Sequence, residues 1–389
     1  MKKTLLAAAL ALGFAGVAQA ETSVTLYGIL DGGIGYQKYD SDSARGDRSK
    51  FGMIQGIQSG NRWGLKGTED LGNGLRAVFQ AESGFNLGTG NHEQGDRLFG
   101  RHLTLGLASD AWGQLDFGRQ TNIASKYFGA IDPFGMGFNQ ANIGAAFSAM
   151  NTNRYDNMVM YQTPNFSGFQ FGVGYSFNAN GNQNWDYDEP VLNRGTLRRD
   201  GTTDIASSTG NLDDLNLKAI TTGLRYANGP LAVALSYDRM EAPVVRGVVG
   251  ETDDMQAYSL GLAYDFEVVK LHLAAGQTKD GVFAQQSFGD VTATPYVLER
   301  GLKINSYMVG LSAPLGAGKV MASWHMADPT DSPDGETVEW EKQNTFSIGY
   351  TYNLSKRTNV YAIGSYTKDA TFVDGDKSTL LGIGLRHQF

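Results

Sequence analysis

The chain has 389 residues, with 32 Lys and Arg against 40 Asp and Glu, 51 glycines, 9 prolines and no cysteine. The net charge of −8 argues against nucleic acid as a partner, because phosphate binding needs a basic surface. The lack of cysteine excludes disulfides, cysteine-based metal sites and thiol nucleophiles, and the low proline content excludes a collagen.

The first twenty residues have the pattern of a secretory signal peptide. Lys2 and Lys3 form a basic start, Leu5–Val17 is a short apolar run, and Ala18-Gln19-Ala20 is a small-residue cleavage site. We expect removal of residues 1–20, which leaves residues 21–389 as a single domain with a net charge of −10. A membrane anchor is the alternative, but the apolar run is too short to span a bilayer.

Five segments with alternating apolar and polar residues follow. In the second, Trp63 and Leu65 share one face, and Arg62 and Lys66 share the other. The five segments are residues 24–34, 62–67, 75–82, 103–107 and 115–117. Each is typical of a β-strand with one apolar and one polar face.

The alternation stops between Ile123 and Asn153. Glycine and proline interrupt this stretch, which shows neither a strand period nor a sustained helical one. Its apolar residues are too numerous for a solvated loop; they include Ile123, Tyr127, Phe128, Ile131, Phe134 and Phe138. The stretch therefore predicts a segment that folds into a cavity formed by the flanking strands, with a mobile surface loop as the alternative.

Eleven further alternating segments bring the number of predicted strands to sixteen. They are residues 158–162, 169–177, 218–226, 231–237, 258–266, 269–277, 306–311, 320–325, 346–352, 360–366 and 380–389. Short turns alternate with long, polar connections, which is the pattern of an antiparallel transmembrane β-barrel. A soluble β-sandwich or propeller is the alternative, but it would bury the charged residues of the strand faces without partners.

The residues resemble the general porins of Gram-negative outer membranes, especially the β-proteobacterial type, over almost the whole mature chain. The motifs that carry the resemblance are Val24–Gly28, Arg62–Gly72, Glu82–Phe85, Arg97–Arg101, Gly118–Gln120, Asp132–Gly135, Tyr161–Phe166 and the terminal Phe389. No single motif is specific, but their order and spacing together are.

The resemblance implies a homotrimer of sixteen-stranded barrels in the outer membrane. It also implies that the third extracellular loop, here Ile123–Asn153, folds inward and narrows the pore. Matching the motifs places Arg62, Arg101 and Arg154 on the pore wall and Asp132 on the loop. Enterobacterial porins carry a further acid in this loop, and its absence here puts a preference for cations in doubt.

Strand parity agrees with part of this assignment. Arg62 and Lys66 lie on the polar face, whereas Arg101 shares the parity of the outward leucines of its strand and can also be a surface residue. Arg119 shares the face of Phe117, and the latch of the family implies that Glu93 or Asp96 of a neighbouring protomer lies near it. The resemblance also implies that the barrel-assembly machinery recognises the terminal Phe389.

These observations predict passive diffusion of small hydrophilic solutes and ions, without a cofactor or metal. With three wall arginines and Lys66 against Asp132, we expect a mild preference for anions. An outer-membrane barrel enzyme, protease or phospholipase, and an adhesin are the alternatives. The five histidines lie in no Gly-x-Ser-x-Gly or His-Glu-x-x-His motif.

Overall fold

The computed structural model closes the chain into an antiparallel β-barrel. It describes residues 23–41, 46–183, 196–197, 203–204, 211–214, 216–241, 244–246, 253–288, 295–333 and 340–389, and the predicted signal peptide lies outside them. One sheet contains eighteen strand segments. Two barrel strands consist of two segments each, so the barrel has sixteen strands, as the sequence predicted.

The barrel strands are numbered in chain order. They are β1 Ser23–Asp40, β2 Arg48–Gln55 with Arg62–Gly72, β3 Leu75–Gly84, β4 His102–Ser109, β5 Gly113–Thr121, β6 Arg154–Tyr155 with Met158–Gln162, β7 Phe169–Ser176, β8 Ala219–Asn228, β9 Leu231–Met240, β10 Met255–Asp265, β11 Lys270–Ala284, β12 Pro295–Leu315, β13 Gly318–Asp331, β14 Gln343–Asn353, β15 Thr358–Lys368 and β16 Lys377–Gln388. Short segments outside the barrel are Thr196–Leu197, Thr203–Asp204, Asn211–Asp214 and Val244–Arg246.

The barrel closes because β1 pairs on both of its edges. Residues 29–40 pair with 377–388 of β16, while residues 23–29 and 32–39 pair with the two segments of β2. All these pairings are antiparallel. Closure leaves no open sheet edge, which is the condition for a sheet to cross a bilayer.

Alternation along the strands separates an exposed apolar face from an inner polar face. Trp63 and Leu65 are exposed on β2, and Leu381, Ile383 and Leu385 are exposed on β16. This is the reverse of a soluble barrel, and it places the apolar band toward lipid and the polar side chains toward the lumen.

Several strands extend past the segments that the sequence predicted. Loops were expected over residues 38–60 and 279–301, but β1 continues to Asp40, β2 begins at Arg48, β11 continues to Ala284 and β12 begins at Pro295. The predicted loops were therefore too long, because their first and last residues belong to strands. Beyond the lipid band water borders both faces, so strand pairing continues there without apolar alternation.

Residues 122–153 join β5 to β6 and contain short helices. Helix α1 spans Ile123–Phe128, and its N-cap Asn122 accepts a hydrogen bond from the Ser125 N–H. Three 3₁₀ turns follow at Asn139–Ala141, Ile143–Ala145 and Ser148–Met150, and a fourth, Ala370–Phe372, lies between β15 and β16. In the described part of the chain, none of the helices has the length and apolar character required to cross a bilayer.

Candidate functional site

The segment 122–153 packs on the inner faces of strands from distant parts of the barrel. The Ile123 N–H donates to Thr221 Oγ1 of β8 (2.9 Å), His272 Nδ1 of β11 donates to the Ile131 carbonyl (2.7 Å), and Ser306 Oγ of β12 donates to the Ala146 carbonyl (2.6 Å). The apolar residues singled out in the sequence are at most 4% exposed; they are Ile123, Tyr127, Phe128, Ile131, Phe134 and Phe138.

Glycines on the strands make room for this packing. A Cβ at Gly261 of β10 would lie 2.7 Å from side-chain atoms of Phe128 and Ile131, and one at Gly172 of β7 would lie 2.6 Å from Ile123. Larger residues at these positions would therefore displace the segment. The inner face of the barrel and the segment fit each other in shape.

A cavity of about 530 Å³ lies between the strand wall and the segment. Arg62, Arg101, Arg154 and Arg386 line it on the wall side, and residues 135–139 line it on the segment side. We call these four residues the arginine wall. Three of them are the wall arginines that the sequence predicted.

Among the described residues, two of the four arginines form hydrogen bonds to backbone carbonyls alone. Arg62 Nε donates to the Gly60 carbonyl (2.9 Å), and Arg154 Nη1 donates to the Thr152 carbonyl (3.3 Å). Neither side chain forms an ion pair within the described residues, and Arg154 Nε is buried without a hydrogen-bond partner there. Their charges are therefore largely uncompensated where they border the cavity.

Arg101 lies on the inner side of the barrel, which decides between the two orientations left open by parity. It precedes the first residue of β4, and its Nε donates to Glu82 Oε1 at 2.6 Å. Glu82 also accepts a hydrogen bond from the Tyr27 hydroxyl (3.0 Å). Because Arg101 lies before the regular strand, its side chain does not follow the alternation that turns Leu103 and Leu105 outward.

Arg386 was missed in the sequence, although a signal was present. Leu381, Ile383 and Leu385 are outward residues of β16, so the even-numbered Arg386 belongs to the inner face. Its Nε donates to Ser59 Oγ (3.0 Å).

Lys66 also faces the lumen, but it borders a different cavity. Its ammonium lies 5.5 Å from the centre of the Tyr27 ring, and the cavity that it lines has a volume of about 370 Å³. Lys66 lies four residues after Arg62 along β2, closer to the short turn that joins β2 to β3. The structure therefore separates it from the arginine wall.

Asp132 differs from the expectation that it faces the arginines. Its side chain is buried at 3% exposure, and its two oxygens accept the N–H groups of Phe134 (3.1 Å) and Met136 (2.7 Å). Burial raises the pKa of Asp132 to about 6, while these N–H groups and the charge of Lys319 oppose the rise. Asp132 therefore stabilises a turn of the segment by accepting hydrogen bonds from its backbone N–H groups.

Glu93 and Asp96 occupy different environments, although both were expected at a subunit contact. Glu93 lines the cavity of the arginine wall and accepts a hydrogen bond from Gln55 Nε2 (2.9 Å), so its side chain lies on the lumen side. This departs from the expectation of an outward contact. The side chain of Asp96 is 88% exposed.

Arg119 has an acidic neighbour within its own chain. Its Nη1 donates to Asp156 Oδ1 (2.7 Å) and its Nε donates to the Gly100 carbonyl (2.8 Å). Asp156 also accepts from Arg97 (2.8 Å) and lies where β6 is interrupted. The sequence predicted a protein neighbour for Arg119 but did not identify Asp156.

The two acids Glu93 and Asp132 allow a matched prediction. We expect Glu93→Gln to raise the chloride-to-potassium permeability ratio about twofold, because a unit charge roughly 8 Å from the passing ion contributes about 0.2 kcal/mol after screening at physiological salt, with opposite sign for the two ions. Asp132→Asn should leave the ratio nearly unchanged, since that carboxylate is buried and bonded to backbone N–H groups. Reversal potentials in a salt gradient provide the measurement, and a larger effect from Asp132→Asn contradicts the assignment.

The residues offer no obvious metal centre. Among the described residues, no three His, Asp or Glu side chains lie together in a group that could hold an ion. The cavity instead presents four guanidinium groups, whose positive charges can attract small anions.

Comparisons with known proteins agree with this geometry. A family profile described as Gram-negative porin matches residues 6–371. An outer membrane porin protein of Bordetella pertussis is 56% identical over 411 aligned residues, and outer membrane porin protein 32 of Delftia acidovorans is 31% identical over 412; each alignment covers 100% of both chains. Among solved structures, an anion-selective porin from Comamonas acidovorans has a TM-score of 0.68 and 29% identity, covering 95% of this chain and 100% of its own.

Proposed function

This chain belongs to the Gram-negative porin family, and we propose that it favours small anions. It is an outer-membrane porin that forms a water-filled channel for hydrophilic solutes. The observation that carries the proposed preference is the arginine wall, where four guanidinium groups border the cavity and Glu93 is the acid beside them. Glu82 and Asp31 are buried behind this surface.

The proposed selectivity depends on a constriction. In this proposal, the segment 122–153 narrows the lumen, and ions pass between residues 135–139 and the arginine wall. Its hydrogen bonds to β8, β11 and β12 support a fixed position. The anion-selective relative from Comamonas acidovorans is consistent with the sign of the preference.

A catalytic role for the barrel is the alternative that we weigh against transport. His272 Nε2 lies 2.9 Å from Ser312 Oγ, which is the spacing of a nucleophile and its base. Both side chains are buried, and His272 Nδ1 is bonded to the Ile131 carbonyl of the segment. We therefore propose that His272 and Ser312 hold the segment 122–153 against the barrel wall. The proposed function includes no chemical reaction.

Single-channel recording of the purified protein in a planar bilayer tests the proposal. We expect a stable, ohmic conductance and a reversal potential in a potassium chloride gradient that indicates chloride preference, larger at low salt because screening is weaker there. A clear cation preference contradicts the role of the arginine wall. The mass of the mature protein tests whether residues 1–20 are removed on export.

We also propose that the channel is a homotrimer, as the family resemblance implies. The exposed Asp96 is the candidate contact with a neighbouring protomer. Arg119 departs from that expectation, because it bonds to Asp156 of its own chain and borders a cavity together with Arg97 and Arg154. We expect native mass measurement in mild detergent to give three copies, and Asp96→Arg to weaken the trimer while its conductance per channel is retained.

Asp110 provides the control for this prediction. Its side chain is 86% exposed, but it lies in the short turn between β4 and β5, at the opposite end of the barrel from Asp96. Asp110→Arg should leave the trimer intact. A stable monomer of the wild type in mild detergent would refute the trimer itself.

A further inference from the structure

A second polar cavity lies in the lumen on the short-turn side of the arginine wall. Its volume is about 370 Å³. Lys66 of β2 pairs in register with Gln80 of β3, which pairs with Thr104 of β4, so these three side chains form one row on the inner wall. Four glutamines line the cavity in all; they are Gln80, Gln114, Gln120 and Gln162.

Lys126 enters this cavity from the segment rather than from the wall. It lies in helix α1, and its Nζ donates to Gln120 Oε1 (2.9 Å) and approaches Met160 Sδ (3.2 Å). Within the described residues it has no acid at ion-pair distance. Since an ammonium group has three N–H donors and a thioether is a weak acceptor, Lys126 keeps donor capacity for a solute. Burial lowers the pKa of Lys126 to about 8, and the charge of Asp116 opposes this.

Asp116 and Gln120 add one acceptor and one donor. Both oxygens of Asp116 lie 2.9 Å from Gln114 Nε2, and each keeps a further lone pair. Gln120 is 1% exposed, and its Nε2 is buried without a hydrogen-bond partner among the described residues. A buried amide nitrogen that lacks a partner costs free energy, so a ligand oxygen at this point would be stabilised.

We propose that this cavity is a binding subsite for zwitterionic amino acids that pass through the channel. The carboxylate of the solute accepts from Lys126 Nζ and Gln120 Nε2, and its ammonium group donates to Asp116. The surrounding glutamine amides bind polar side chains. This proposal rests on the channel function of the protein.

The paired charges of the cavity favour a zwitterion over a simple ion. Lys66 also lines the cavity, but its ammonium group lies over the Tyr27 ring. Between Lys126 and Asp116, a lone anion is attracted by the lysine and repelled by the carboxylate, and a lone cation experiences the reverse. A zwitterion satisfies both groups and carries no net charge, so the arginine wall does not repel it. The Asp116 carboxylate thus gives this cavity a different preference from that of the arginine wall.

Block of the ion current by L-glutamine tests the subsite. The probe is added in increasing concentration on the short-turn side of single channels, and the concentration that reduces the current by half is determined. N-Acetyl-L-glutamine, which keeps the carboxylate and the side chain but lacks the ammonium group, is the matched solute. Lys126→Met and Asp116→Asn each remove one charged partner, and Gln120→Leu removes the neutral donor.

We expect the half-blocking concentration of L-glutamine to rise about tenfold in Lys126→Met and Asp116→Asn, as for the loss of one charge-assisted hydrogen bond. N-Acetyl-L-glutamine should block the wild type correspondingly more weakly. Lys319→Met is the control, because Lys319 also contacts the segment, through the Pro133 carbonyl, but lies outside this cavity.

Three results would overturn the subsite: no block of an open wild-type channel, equal block by both solutes, or equal block of the wild type and the Lys126 and Asp116 variants. A wild-type protein without any conductance would instead contradict the channel function. If Lys126→Met does not insert, Asp116→Asn and Gln120→Leu provide the same comparison with the segment lysine intact.

Discussion

Replacing Arg62 and Arg154 together by alanine is expected to lower the chloride-to-potassium permeability ratio about tenfold. Each charge lies roughly 6 Å from the ion and contributes about 0.3 kcal/mol after screening at physiological salt, with opposite sign for chloride and potassium, so the two charges change the ratio by about 1.3 kcal/mol. The conductance should rise at the same time because two long side chains no longer occupy the cavity. Both effects should weaken in concentrated salt.

The contacts of these two arginines make the experiment practical. Each bonds to a single backbone carbonyl and to no acid among the described residues, so their removal leaves no buried carboxylate without a partner. Arg101 is a poorer choice, because its loss would leave the buried Glu82 unpaired.

Lys356 and Arg357 provide a control with the same loss of charge. Both are exposed in the short turn between β14 and β15, away from the cavity. Their joint replacement by alanine should leave the reversal potential at its wild-type value. If the Arg62 and Arg154 double variant behaves like this control, the two arginines do not line the ion path.

Deletion of Phe389 is expected to lower the amount of folded, membrane-inserted protein several-fold, while the channels that do insert conduct normally. The N–H and carbonyl of Phe389 both bond to Gly28 of β1 at 3.1 Å, so this residue completes the closing ladder of the barrel. It is also the residue through which the family resemblance implies recognition by the barrel-assembly machinery. Heat-modifiable mobility in gels and recovery from membranes provide the measurements.

A second variant separates ladder closure from recognition. A Cβ at Gly28 would lie 2.3 Å from the Phe389 ring, so Gly28→Val should displace the terminal residue while leaving its chemistry unchanged. If recovery falls only on deletion of Phe389, the signal is the aromatic residue itself. Undiminished insertion after the deletion would contradict both roles.

The sequence by itself determined the architecture of this protein. Alternation with an apolar outer face, together with short turns that alternate with long loops, predicted sixteen antiparallel strands, because a membrane barrel must present apolar side chains to lipid at every second position. It also predicted Arg62 on the inner face and the burial of the apolar residues between Ile123 and Phe138. These features depend on local patterns, which a single chain displays directly.

Only the tertiary structure decided where the charges of the lumen meet. Arg386 joins Arg62 because β16 closes against β1, and this contact between residues more than 300 positions apart leaves no local signal. Arg101 turns inward because a strand ends, and Asp132 turns into its own segment because backbone N–H groups there bind its carboxylate. Lys126 lines the same cavity as Asp116 because helix α1 packs against the wall. Period-two alternation fixes the face of a side chain on a regular strand, but strand ends and packed segments follow no period.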